Sequence, residues 1–155
     1  MSLEALRALS RAHALVAWMA TAALIAAATA SALPRARRLL GALGAIAGAL
    51  VASAGVLGVL LHDGYRARLR QKLFVSSASL GWLFERKLHL GFAAVMLAAS
   101  ALSITILLRR AELRRGPSAH REEHARAARI AWISAALMAL FASVASAIVA
   151  RRISF

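Results

Sequence analysis

The chain has 155 residues, 61% of them hydrophobic, with a mean hydropathy of +0.70, no cysteine and a formal net charge of +14. The absent cysteines exclude disulfides, thiolate metal sites and covalent haem attachment, and the apolar share exceeds that of an ordinary soluble domain. In a soluble chain this charge would point to nucleic acid, but here the basic residues form separate clusters beside apolar runs, so anionic lipid headgroups are the expected partner and nucleic acid is not.

Residues 1 to 12 predict a short amphipathic helix. Leu3, Leu6 and Leu9 recur at helical spacing, Ser2 can cap the start, and Glu4 suits the first turn. A first apolar run covers about residues 13–33. A helix crosses the ~30 Å hydrocarbon core with ~20 apolar residues, so this run is a candidate span. Its basic leader, Arg7 and Arg11, and the small residues Ala28 to Ala32 have the make-up of a cleaved signal, but the run is longer than a signal requires, and a retained span is expected. Pro34 ends it, and Pro34 to Arg38 is a turn so tight that the next span must run back beside the first.

The second span, about 39–61, is rich in glycine. Gly44 and Gly48 form G-x-x-x-G, and Gly41, Gly48 and Gly55 recur every seventh residue along one stripe. Helices in lipid associate through close packing of small residues, so Gly41, Gly44, Gly48 and Gly55 are read as packing positions, which makes span two the expected centre of the bundle, with alanine-rich span one against it. The connector from Asp63 to Lys87 carries Arg66, Arg68, Arg70 and Lys72, a polar turn from Ser76 to Ser79, and an aromatic patch including Trp82. An interfacial segment is predicted there, with those four cations and Trp82 at the headgroups. The third span covers about 88–108 and the fourth about 127–150. Between them Gly116-Pro117-Ser118 breaks a polar connector, and Ser118 can cap the last helix.

The predicted fold is all-α: one transmembrane domain over residues 1–155, an up-down-up-down four-helix bundle with a short interfacial segment between its second and third spans. An even number of spans puts both termini on the same side. The 20 Lys and Arg residues divide equally between the two faces, so the positive-inside rule assigns no orientation. Alanine-rich spans and arginine in place of lysine suggest a GC-rich bacterial genome, hence the inner membrane. Arg11-Ala12-His13 and Lys87-Leu88-His89 open spans one and three alike, a faint two-plus-two repeat. Small-residue faces favour a homo-oligomer or assembly with other membrane subunits, with Ala139, Ser143 and Ser146 of span four expected to face outward.

The histidines are the candidate ligands. His13, His62 and His89 all lie at span ends on one membrane face, where imidazoles on neighbouring helices can hold haem b, and Glu85 and Asp63 can orient the rings. In placing histidines near span ends the chain resembles the small four-span bacterial b-type cytochromes, and the likeness stops there. His120 and His124 share a helix face with zinc-ligand spacing, but the run is H-R-E-E-H, with arginine where a metalloprotease motif has its base. Enzyme signatures are otherwise lacking: there is no nucleophile elbow and no phosphate loop, and the acids are peripheral. The features together point to a non-enzymatic accessory or scaffold subunit of a membrane complex. The alternative is a haem b electron-transfer or quinone-linked protein, and the third reading is a small transporter of an apolar substrate.

Overall fold

The structure, a computed structural model, describes residues 2–115 and 121–151, with the backbone alone at 112–115 and 121. Ser2 is extended and its Oγ accepts the Ala5 N–H at 3.2 Å, so α1 begins at once and runs over Leu3–Ala32. The predicted lead-in and the first span are therefore one helix of 30 residues. Leu33 ends it in extended backbone, the conformation that Pro34 imposes on its predecessor. A 3₁₀ turn, Pro34–Leu39, leads into α2, Leu40–Arg68. Then come α3, Arg70–Ser76, α4, Ala78–Arg115, and α5, Arg121–Ala150. Among the described residues there is no strand. The Gly116-Pro117-Ser118 break lies outside the described residues.

Four of these helices, α1, α2, α4 and α5, are long and apolar enough to cross a bilayer. The protein is a small multi-pass membrane protein. At 1.5 Å per residue the 38 residues of α4 extend about 57 Å, more than the ~40–45 Å of a whole bilayer, so its ends pass the hydrocarbon. This is why the predicted connector is mostly helix: Asp63 to Arg68 continue α2, and Ala78 to Lys87 open α4. Only α3 remains between them. Its Leu73 is buried with Tyr65 and Val149, which docks α3 onto the end of the bundle.

Packing partners fix the topology. Leu6 and His13 of α1 meet Gly64 and Gly58 of α2, so a later residue on one helix meets an earlier one on the other. The same reversed order relates Gly44 and Gly55 to Leu102 and Val95, and Lys87 and Thr105 to Ser146 and Trp132, so α1 and α5, which meet at Thr21 and Ser143, also run opposite ways. All four neighbours are antiparallel, in a ring in which α1 packs on α2 and α5, and α4 on α5 and α2.

The core is built from alanines, among them Ala27, Ala47, Ala98, Ala101 and Ala135, which let the backbones approach. The largest fully buried side chain among the described residues is Trp132, and its Nε1–H donates to Thr105 Oγ1 at 3.3 Å. Gly44 makes room for it: a Cβ there would stand 2.9 Å from Trp132 Cζ2. Outward, Leu15, Val59, Phe92 and Phe141 are exposed, as a lipid-facing surface requires.

Two expectations are corrected. Span two is not the centre of the bundle: it packs on α1 as expected, but as one member of a ring, and its glycine stripe does not serve that contact. Gly44, Gly48 and Gly55 face Leu102 and Val95 of α4, with Trp132 of α5 over Gly44, and α1 instead meets Gly58 and Gly64. Nor do Ala139, Ser143 and Ser146 face outward. Ala139 packs against the core, Ser143 is buried, and Ser146 accepts a hydrogen bond from Lys87. A hydroxyl finds no water in hydrocarbon, so it turns to a neighbouring helix. Thr21 donates to the Ala17 carbonyl at 2.9 Å, which leaves Ser143 to donate to Thr21 at 3.0 Å.

Candidate functional site: a polar cluster at one end of the bundle

The end of α2, all of α3, the start of α4 and the end of α5 converge on one group of polar and aromatic side chains. Tyr65, in the last turns of α2, is buried, and its ring stacks on Phe84 of α4 with centroids 3.9 Å apart. Its hydroxyl donates to Glu85 Oε1 at 3.3 Å, and Arg70 Nε donates to the same oxygen at 3.0 Å. Arg70 opens α3, so Glu85 joins three helices through one carboxylate oxygen. Phe74 pins α3 further. It lies edge-on to Trp82 at 5.8 Å and covers Gly81 so closely that a Cβ there would reach its ring at 2.7 Å. Glycine is required at position 81 for that approach.

One turn deeper, Lys87 Nζ stands 4.1 Å from the Phe84 ring centroid and donates to Ser146 Oγ at 3.0 Å. Ser146 passes its own proton to the Ala142 carbonyl at 2.8 Å, which leaves its oxygen free to accept. An ammonium at a membrane boundary is thus held by a π face and a hydroxyl, both satisfied by geometry. His13 Nδ1 lies 3.1 Å from the Ala54 carbonyl oxygen. A carbonyl only accepts, so Nδ1 carries the proton and Nε2 is the ring's acceptor.

The three span-end histidines occupy different surroundings. His13 is half-buried between α1 and α2, and His62, also half-buried, lies one turn on from the Gly58 that His13 touches. His89 is exposed on α4, where it lines a shallow depression with Trp82, Glu85 and Arg86. Of the two acids expected to orient them, Glu85 bonds Tyr65 and Arg70, and Asp63 is exposed. His124 is exposed on α5, and His120 lies outside the described residues. Among the described residues, no group of three or more His, Asp or Glu side chains is placed to hold a metal ion. Of the residues predicted to meet headgroups, Arg66, Arg68, Lys72 and Trp82 are exposed, as is the Arg70 side chain.

Lys87 is the member of this cluster that sequence reasoning missed as an interior group. The signal was present: Phe84 and Lys87 stand three apart on one helix face, and Ser146 lies one turn before the end of span four, at matching depth. Comparison of the chain with protein-family models, curated proteins and solved structures finds no significant match.

The Arg70–Glu85 pair contributes little to stability, because the Arg70 side chain is 55% exposed. Glu85→Gln and Tyr65→Phe are each expected to cost below about 1 kcal/mol in reversible unfolding from mixed micelles. A loss several times larger in either variant would show that α3 holds the bundle together.

Proposed function

We propose that the protein is a non-enzymatic accessory or scaffold subunit of a complex in a bacterial inner membrane, with both termini on one side. The observation that carries this reading is the filled interior. Trp132 seats against Gly44 among alanines, and the polar side chains tie helix to helix through Thr21–Ser143, Trp132–Thr105 and Lys87–Ser146. A bundle so closed presents its outer surface to neighbours, and its small exposed residues favour close helix contact. The test is in-cell photo-crosslinking from exposed apolar positions such as Leu15 and Phe141, with the visible spectrum and metal content of the purified protein. Crosslinks to one defined membrane subunit, or to a second copy of the chain, are the expected result. A stoichiometric cofactor, or adducts with lipid alone, would overturn the proposal.

One observation favours the second reading, haem b on His13, His62 and His89. Ligating histidines characteristically donate their other ring N–H to a carbonyl or carboxylate, and His13 donates Nδ1–H to Ala54 with Nε2 left as an acceptor. A Soret band that disappears in His13→Ala or His62→Ala would support it. Normal haem content in all three single alanine variants, or none in the wild type grown with excess haem, would dismiss it.

A further inference from the structure

At the end of the bundle opposite the polar cluster, a groove of about 290 Å³ lies between α2 and α4. Its walls are Gly41 and Ala45 from α2 and Leu102 and Ile106 from α4, with Arg109 and Arg110 at its mouth. Thr105 also borders it, but that hydroxyl donates to the Ala101 carbonyl at 2.7 Å and accepts from Trp132, so its polar atom already has partners. The floor is therefore apolar. Gly41 shapes the mouth: the Arg109 guanidinium lies directly over it, where a Cβ would push that group aside. Both arginines are exposed and immediately follow Leu108, where the apolar run of α4 stops. That is the depth of lipid phosphates. Arg37 and Arg38, one turn before Gly41, are exposed at the same end.

We infer that this groove binds one anionic phospholipid, with an acyl chain along Ala45, Leu102 and Ile106 and the phosphate on Arg109 and Arg110. Two features select that occupant. The floor suits hydrocarbon and nothing charged. The mouth presents two guanidinium groups, whose planar forks match a phosphate, and basic pockets between membrane helices take anionic headgroups. A zwitterionic lipid would bring a cation to the same mouth and be held less well.

The test is native mass spectrometry of the full chain released from nanodiscs of phosphatidylcholine containing phosphatidylglycerol. Four proteins are compared: wild type, Arg109→Gln/Arg110→Gln, Ala45→Phe, and Arg66→Gln/Arg68→Gln as a control that removes the same charge at the other end. The wild type is expected to retain one phosphatidylglycerol in preference to phosphatidylcholine. The Arg109/Arg110 double variant should lose that retention on the order of tenfold, and the control should stay within about twofold of wild type. Ala45→Phe fills the groove with both arginines intact, and should also lose the bound lipid. Equal losses in the two arginine pairs would mean diffuse attraction to charge and overturn the proposal. Undiminished retention in Ala45→Phe, or displacement of the lipid by inorganic phosphate alone, would overturn it too.

Discussion

Leucine at Gly44 is expected to destabilise the bundle by about 3 kcal/mol or more, the upper range for forcing extra atoms into a packed core. Even a single methyl group at this position would stand 2.9 Å from Trp132 Cζ2, 3.2 Å from Cη2 and 3.3 Å from a Leu102 methyl. Trp132 has nowhere to go, since it is fully buried and its N–H is engaged with Thr105. Gly91 offers the contrast. A Cβ there meets nothing within 4 Å, so Gly91→Ala should be neutral or slightly stabilising through helix propensity. The close contact involves the benzo ring of the indole, so Trp132→Phe should relieve it. Gly44→Ala and Trp132→Phe together should then cost less than the sum of the two alone, measured by reversible unfolding in mixed micelles. Strict additivity would show that residues 44 and 132 do not touch.

The four spans were legible because one dimension of the bilayer sets the length of an apolar helix, and composition alone supplies the rest. Their ends were not. Hydropathy reports where the hydrocarbon stops, but a helix ends only where its backbone hydrogen bonding is interrupted. Leu3 to Arg11 and Asp63 to Arg68 therefore belong to α1 and α2 although they are polar enough to read as flanks. Pro34 and the Ser2 cap did mark boundaries, because each acts on the backbone itself.

Rotation about each helix axis was the second hidden quantity. The seven-residue spacing of Gly41, Gly48 and Gly55 identifies a stripe but not the neighbour it meets, and contacts with Arg109, Leu102 and Val95 give that neighbour as α4. The histidines show the same gap. Topology places His13, His62 and His89 towards one end of the bundle, yet His13 turns inward to Ala54 and His89 lies exposed on α4. Lys87 reads in the sequence only as the basic residue that opens span three, because charge at a boundary is ordinary. Its interior role depends on Ser146, which is distant in sequence and visible only once α4 and α5 are paired.

The sharpest consequence of that rotation concerns Ser143. Leucine at this position is expected to disrupt the fold and not merely association. Ser143 is 6% exposed and donates to Thr21 across the α1–α5 contact at 3.0 Å. Removing the hydroxyl alone is mild: Thr21 keeps its own bond to the Ala17 carbonyl, so Ser143→Ala leaves no orphaned donor and should cost about 0.6 kcal/mol, the average for such bonds between membrane helices. Leucine adds bulk where α1 and α5 already touch, and about 2–3 kcal/mol is expected. Phe141, on the same helix and 59% exposed, should behave in the opposite way, with Phe141→Ala leaving stability within about 0.5 kcal/mol of wild type. Any oligomer then depends on residues such as Phe141, and size-exclusion profiles in mild detergent should change for Phe141→Ala at unchanged unfolding midpoint. A Ser143→Leu protein as stable as wild type, and altered only in its association, would return the serine face of α5 to the outside of the bundle.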